Sequence, residues 1–225
     1  MDIRRCNLFF KNLLGQGRFV CAGDKVGKVD LWHSDYGVGM KKYQIIVIDP
    51  PWQIKKIIKR VRPNQVNMDY PMMSIQEIEY LPIQSIADDN NCILFLWTID
   101  KYLYESKTIL ERWGFHYHRT MTWDKTNGLA MFGFNYQTEF ILVGFMGKQE
   151  TYPKRKTIRT SFTAKSAYHS SKPDYFYEML DVLPHNPRID MFARKKRNSL
   201  LLKNKWDVWG NEVKSDIELS SPSAV

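Results

Sequence analysis

The feature that most constrains this chain is the run Tyr43–Ile48 (YQIIVI), which stops at Asp49-Pro50-Pro51-Trp52. A β-branched apolar run without polar alternation has no face to offer solvent. It predicts a strand buried on both sides, as in a parallel sheet. Two consecutive prolines fix φ and remove two backbone donors, so the strand ends at Asp49. Cys92–Trp97 (CILFLW) predicts a second buried strand, and Tyr117–Trp123, Glu139–Phe145 and Arg188–Phe192 predict three more, before a closing segment Trp206–Val213. Helical signals fall between them. Ser74 and Glu77 form a capping-box pattern for a helix ending near Tyr80, before Pro82. Lys101–Trp113 is amphipathic and closed by Gly114, and Lys172-Pro173-Asp174 opens a helix running to about Leu183. Strands alternating with helices imply an α/β fold, a mostly parallel sheet with helices on both faces. Such sheets bind ligands at the carboxyl ends of their strands, where Asp49 lies.

The 225 residues suit one domain. Residues 1–42 are punctuated by glycines and read as turns and short strands; 43–213 carry the alternating pattern; 214–225 are a polar tail. Residues 148–168 read as a polar, basic connection. Gly15-Gln-Gly17 makes no dinucleotide fingerprint, since no clear strand precedes it and no helix pattern follows. Lys and Arg outnumber Asp and Glu by 33 to 24, a formal charge of +9, which favours polyanionic partners through counterion release. Three cysteines without a CxxC spacing argue against a disulfide framework or zinc site and for a reducing compartment. The sequence contains neither a signal-peptide pattern nor an apolar span of the roughly 20 residues a bilayer crossing needs, so a soluble, intracellular protein is expected.

The tetrapeptide concentrates chemistry at one strand end. Asp49 offers a carboxylate, Pro50 a rigidly held carbonyl, and Trp52 a flat face on which a base could stack. Taken alone, Asp-Pro-Pro is equally a turn. An ordered series of segments settles the reading: YPMMSIQEI (70–78), CILFLWTID (92–100), ILERWGFHYHRTMTWDKT (109–126), NYQTEFILVG (135–144), HSSKPDYFYEML (169–180), RIDMFAR (188–194) and WDVWGNEV (206–213). With Asp49–Trp52 they resemble the MT-A70 family of adenine-N6 methyltransferases, whose signature is DPPW, over roughly residues 43–213.

The resemblance implies a permuted, Rossmann-like class I methyltransferase fold, with the catalytic motif ahead of the cofactor strand, and S-adenosylmethionine as methyl donor. Asp49, Pro50, Pro51 and Trp52 would be catalytic, with Asp49 and Pro51 also against the cofactor. Ser170 and Lys172 would lie near its methionine end or the catalytic end, Asp190 at the ribose hydroxyls, Arg194 beside ribose and adenine, and Asn211 and Glu212 on the adenosine side. Asp30 and Leu31 align poorly but fall where the family contacts the cofactor adenine. Each has a structural alternative: Lys172 as a solvated residue near a helix start, Asp190 as a partner of Arg194, Asn211 as the close of a turn after Gly210. The resemblance favours function for Lys172, Asp190 and Asn211 and leaves Arg194 and Glu212 open. Histidines 116, 118 and 169 form no metal-ligand spacing, and methyl transfer needs no metal, so none is expected.

Between Trp52 and Tyr70 lies a basic insertion with Lys55, Lys56, Lys59, Arg60 and Arg62. It is expected to form a mobile loop that orders over cofactor and target base and binds nucleic acid. Messenger-RNA-methylating members are shorter here, and bacterial, phage and ciliate members look more similar, so DNA is favoured over RNA. The family also contains catalytically silent subunits that bind nucleic acid and support an active partner. Those typically lose DPPW or the cofactor residues, and this chain keeps both. A homo- or heterodimer with another MT-A70-like subunit is expected, with a separate nucleic-acid-binding subunit as a further partner. The compartment would be the nucleus in a eukaryote or the cytoplasm in a bacterium or phage-infected cell.

Overall fold

A computed structural model describes residues 41–54, 72–126, 133–134, 137–148, 157–165, 172–197 and 202–219. Among the described residues, seven strands form one sheet: β1 (Ile45–Ile48), β2 (Asn91–Thr98), β3 (His116–Asp124), β4 (Thr138–Gly147), β5 (Ser161–Thr163), β6 (Arg188–Met191) and β7 (Trp206–Trp209). Their order is β5-β3-β4-β2-β1-β6-β7. Every pairing is parallel except those of β4, which runs against β2 and β3. The expected mostly parallel α/β sheet is present.

The helices are α1 (Ile75–Glu79), α2 (Ile83–Ile86), α3 (Leu103–Arg112) and α4 (Asp174–Leu180), with a 3-10 turn at Asp100–Tyr102 leading into α3. The capping box forms as the sequence predicts: the Glu77 amide donates to Ser74 Oγ at 3.2 Å, and the Ser74 amide donates to the Glu77 carboxylate at 2.7 Å. The apolar side chains sort into two clusters, one on each sheet face. Ile46, Ile48, Leu94 and Leu96 join Ile78, Ile109 and Leu110 of α1 and α3. Ile45, Val47, Phe95 and Trp97 join Phe176, Tyr177 and Leu180 of α4. Consecutive residues of β1 thus feed opposite cores, which explains why the run could carry no polar alternation.

One expectation is corrected. The stretch 148–168 is not wholly a connection, because Ser161–Thr163 adds a strand in parallel register with Thr122–Asp124. Three residues of alternating exposure carry too little apolar periodicity to be recognised from sequence. The helix opened by the capping box ends at Glu79 with Tyr80 as its C-cap, before Pro82 as expected, and Pro82 opens a further short helix at Ile83–Ile86.

β1 and β6 lie side by side, yet the chain leaves β1 toward β2 on one flank and leaves β6 toward β7 on the other. A crevice opens at the carboxyl ends of two strands whose connections diverge, and ligands in open α/β sheets bind there. Asp49 is the first residue beyond β1, and its amide donates to the Met191 carbonyl of β6 at 3.4 Å.

Arg188 fastens α4 to this centre. It is fully buried, and its guanidinium donates to the carbonyls of His185 (2.9 Å), Leu180 (3.1 Å) and Leu183 (2.6 Å) and to the Asp181 carboxylate (3.3 Å). The Leu183 and His185 carbonyls thus gain a donor just beyond the end of α4, while the Leu180 carbonyl also accepts from the Leu183 amide at 3.0 Å and Asp181 Oδ1 from Asn204 Nδ2 at 2.8 Å. Burial pulls its pKa down to about 10 against the opposing pull of Asp181, which leaves it charged at neutral pH. Arg188→Met should destabilise the fold by about 3 kcal/mol or more in equilibrium urea unfolding, since several buried acceptors lose one donor together. A loss under about 1 kcal/mol would mean that water replaces the guanidinium.

Candidate active site

Asp49 leaves the sheet where β1 ends, with 28% of its side chain open. Lys172, two residues before α4, places Nζ 3.1 Å from Asp49 Oδ2 and donates to Glu139 Oε2 at 2.8 Å. Glu139 lies near the start of the antiparallel strand β4, which brings it to the carboxyl edge of the parallel strands. Its other oxygen accepts from Lys125, just beyond β3, at 3.2 Å. Four segments thus deliver the alternating chain Asp49–Lys172–Glu139–Lys125. The Lys172 ammonium also lies 4.7 Å from the Trp97 ring centroid, a cation–π contact with the floor of the site.

The charges tune one another. Burial pushes the Asp49 carboxyl up from the usual carboxylate range; Lys172 opposes this and Glu139 adds to it. For Glu139, burial acts upward too, but Lys172 and Lys125 together outweigh it and hold the carboxyl below its ordinary value. Lys172 would lose its proton more easily through burial alone; the two carboxylates reverse this and raise its pKa. The result is a firmly cationic Lys172, an ionised Glu139 and an Asp49 of raised basicity.

The tetrapeptide is rigid. The Trp52 amide donates to the Pro50 carbonyl at 2.8 Å, and the Met73 amide to the Pro51 carbonyl at 2.9 Å. Trp52 departs from expectation. Its ring is only 6% exposed, stacks on Tyr102 at 5.2 Å and 21°, and donates Nε1–H to the Trp97 carbonyl at 3.0 Å. The Tyr102 hydroxyl donates in turn to the Gln53 carbonyl. Trp52 therefore anchors the loop and is not an open stacking platform.

Asp190 is also placed differently. Its side chain is 3% exposed and both oxygens are engaged, Oδ1 by the Tyr177 hydroxyl at 3.1 Å and Oδ2 by Arg197 Nε at 2.9 Å. It pairs with Arg197, and so it has no open carboxylate for a ribose; its partner is not Arg194. Burial raises the Asp190 pKa, with Arg197 pulling the other way. Arg197 also donates to the Tyr177 hydroxyl at 2.7 Å and to Asp174 at 3.0 Å, with its guanidinium 3.8 Å from the Tyr177 ring centroid. Arg194 and Glu212 face one another across the ends of β6 and β7, Nε to Oε1 3.6 Å, and both are exposed, as is Asn211. The chain leaves β6 through Phe192 at φ 59°, a left-handed turn normally taken by glycine, with its ring edge-on to Trp209 at 5.2 Å. The absence of a glycine-rich loop has its counterpart in this aromatic-braced turn. Ser170, Lys55, Lys56, Lys59, Arg60, Arg62, Asp30, Leu31 and His169 lie outside the described residues.

The structure thus brings Lys172 to Asp49 and keeps Arg194, Asn211 and Glu212 at neighbouring strand ends. Glu139, Lys125, Tyr102, Tyr177 and Arg197 were not singled out in the sequence. Glu139 had one signal, an acid opening an otherwise apolar run.

The profile of the MT-A70 family matches residues 43–212, three quarters of the chain. The chain belongs to the MT-A70 family. Its fold is accordingly of the class I methyltransferase type. It is 31% identical over 194 residues to the type II methyltransferase M.MunI of a Mycoplasma species, covering 77% of this chain and 78% of that protein. Identity to the human N(6)-adenosine-methyltransferase catalytic subunit METTL3 is 25%, over 87% of this chain but 32% of the relative. Human METTL4, an N(6)-adenine-specific methyltransferase, is 25% identical over 77% of this chain and 38% of its own length. The chain thus spans most of the first relative and about a third of the two human ones. Among the described residues, no helix is long and apolar enough to cross a membrane.

Lys172→Met should move the Asp49 carboxyl titration to higher pH, because the ammonium favours the ionised form. Carbon-13 NMR of labelled aspartate, assigned by comparison with Asp49→Asn, measures it. An unmoved or lowered titration would show that the two side chains do not interact in solution.

Proposed function

We propose that this MT-A70 protein is an S-adenosylmethionine-dependent adenine-N6 methyltransferase acting on nucleic acid, with DNA favoured over RNA. The observation that carries the reading is Asp49: a partly open carboxylate of raised pKa, held by Lys172 at the carboxyl end of β1, where the connections of β1 and β6 diverge. An exocyclic adenine amine is a weak nucleophile, because its lone pair is delocalised into the ring. Acceptors on its hydrogens favour the tetrahedral nitrogen that attack requires. Asp49 serves as one acceptor, and the Pro50 carbonyl, rigid and already turned by its bond to the Trp52 amide, as the other. With the donor bound, the amine nitrogen would take its methyl group as the carbon–sulfur bond is cleaved, and Asp49 would accept the proton that the alkylated nitrogen sheds. A raised pKa suits that transfer.

The donor set fits the sulfonium cofactor. Bound S-adenosylmethionine supplies an electrophilic methyl group, and its positive sulfur is compatible with the open carboxylate of Asp49. Arg194, Asn211 and Glu212, at the ends of β6 and β7, are proposed to hold its adenosine. Lys172 and Ser170 are proposed at the methionine end, and Pro51 against the cofactor. Asp190 contributes by fixing Arg197 and Tyr177 beneath the turn.

DNA is favoured because the relative matched over most of its length is a type II methyltransferase, and because the basic residues 55–62 follow directly on Trp52. The relatives named N(6)-adenosine-methyltransferases are matched over smaller shares of their lengths. A second MT-A70-like subunit is the proposed partner; one human relative is itself named a catalytic subunit.

Methyl transfer from labelled S-adenosylmethionine to matched DNA and RNA oligonucleotides tests the proposal, with N6-methyladenine read by mass spectrometry. Product should form on DNA and fall by about a hundredfold or more in Asp49→Asn, as when a transition-state hydrogen-bonding group is removed. Undiminished transfer by the variant would refute the role of Asp49, and product on RNA alone would refute the DNA preference. The rate should fall on the acid side as Asp49 protonates, at a pH above the ordinary carboxylate range. Charge reversal at Lys55, Lys56, Lys59 and Arg60 should weaken DNA binding and flatten its dependence on salt; unchanged affinity and slope would remove that segment from the interface.

A further inference from the structure

We propose that the cleft between β3, β5 and the start of α4 holds the nucleotide adjacent to the target adenine, its phosphate at Arg159 and its base against Tyr175. The inference rests on the nucleic-acid reading above.

The cleft has a volume of about 470 Å³, within the range of small-molecule sites. In the parallel register Thr122 faces Ser161 and Asp124 faces Thr163, so these four side chains share one face of the strand pair. Phe162, between them, is buried in the α4-side core and approaches Tyr175 at 6.1 Å. Tyr175 is 46% exposed and lines the same cleft, as does the exposed Arg159. The Arg159 cation suits a phosphate and the flat Tyr175 phenol a base; the Thr122, Ser161 and Thr163 hydroxyls and Asp124, whose Oδ1 accepts from the Thr126 amide at 3.0 Å, line the cleft from the face of the strand pair opposite to Phe162.

Its position ties it to the reacting centre. Asp124 immediately precedes Lys125, and Tyr175 lies three residues after Lys172; these two lysines are the ones that grip Glu139. The strand order places the cleft on the opposite side of Asp49 from β6 and β7, and so away from the crevice assigned to the cofactor. A strand whose adenine reaches Asp49 would continue past Glu139 into this cleft. None of these residues belongs to the tetrapeptide or its ion-pair chain.

The test is fluorescence anisotropy with single-stranded DNA oligonucleotides containing one adenine, either intact or with an abasic residue on its 5′ or its 3′ side. Tyr175→Ala should weaken binding of the intact strand about tenfold, and much less where the abasic residue removes the stacking base on one side. Tyr175→Phe should restore near-parental affinity. Arg159→Ala should weaken all strands and lower the salt slope by about one. Thermal melting identifies any variant that fails to fold; Tyr175→Phe and Arg159→Ala then carry the test. Parental affinity in both Tyr175→Ala and Arg159→Ala, or an equal loss for Tyr175→Ala on intact and both abasic strands, would overturn the cleft assignment alone. A parent protein that binds no oligonucleotide would overturn the underlying functional reading and this inference with it.

Discussion

The ammonium of Lys172, shared between the carboxylates of Asp49 and Glu139, is the interaction on which the rest of the site depends. A buried cation is tolerated only when its charge is matched and its protons are accepted. Here the matching groups come from the end of β1, the start of β4 and the entry to α4, with Lys125 beyond β3 completing the alternation. The cluster therefore holds the carboxyl edge of the sheet in register while leaving one carboxylate, that of Asp49, partly open. Its components respond oppositely to the same burial: Glu139 has two cations and stays ionised, whereas Asp49 has one cation and a neighbouring anion and becomes a stronger base. Environments that push two carboxylates apart are the usual means of giving them different tasks.

A second ion-pair network does comparable work beneath the turn after β6. Asp190, Arg197, Tyr177 and Asp174 form a connected set, and Phe192 takes a left-handed conformation braced by Trp209. In glycine-rich nucleotide-binding turns the absence of side chains permits close approach. In this chain, aromatic packing and a buried salt bridge fix the turn instead, and exposed Arg194, Asn211 and Glu212 stand around it.

Much of this was legible in the sequence, for identifiable reasons. The YQIIVI run is apolar on consecutive positions because β1 feeds both cores, and that property survives in one dimension. The Ser74–Glu77 box is local chemistry and formed as read. Lys172 could be carried over by motif and arrived at Asp49. What was not legible depends on pairing at a distance. Glu139 becomes a site residue only because β4 runs antiparallel and turns its first residues toward Asp49. Arg197 meets Asp190 only because the segment after β6 folds back under Tyr177. In the sequence Trp52 offers a flat face for a base, whereas Tyr102, 50 residues further on, covers it. Residues 161–163 joined the sheet through the register of β3, with little apolar signal of their own.

The ion pair at 3.1 Å joins Asp49 and Lys172 into one unit. The most direct measurement is a double-mutant cycle on the methyl-transfer rate, with Asp49→Asn, Lys172→Met and the combination compared under saturating substrate and cofactor. If Lys172 acts through Asp49, its replacement should slow the parent markedly but slow the Asp49→Asn enzyme little further. Losses that multiply independently in the double variant would contradict the account, because they would assign Lys172 a contribution that does not pass through Asp49.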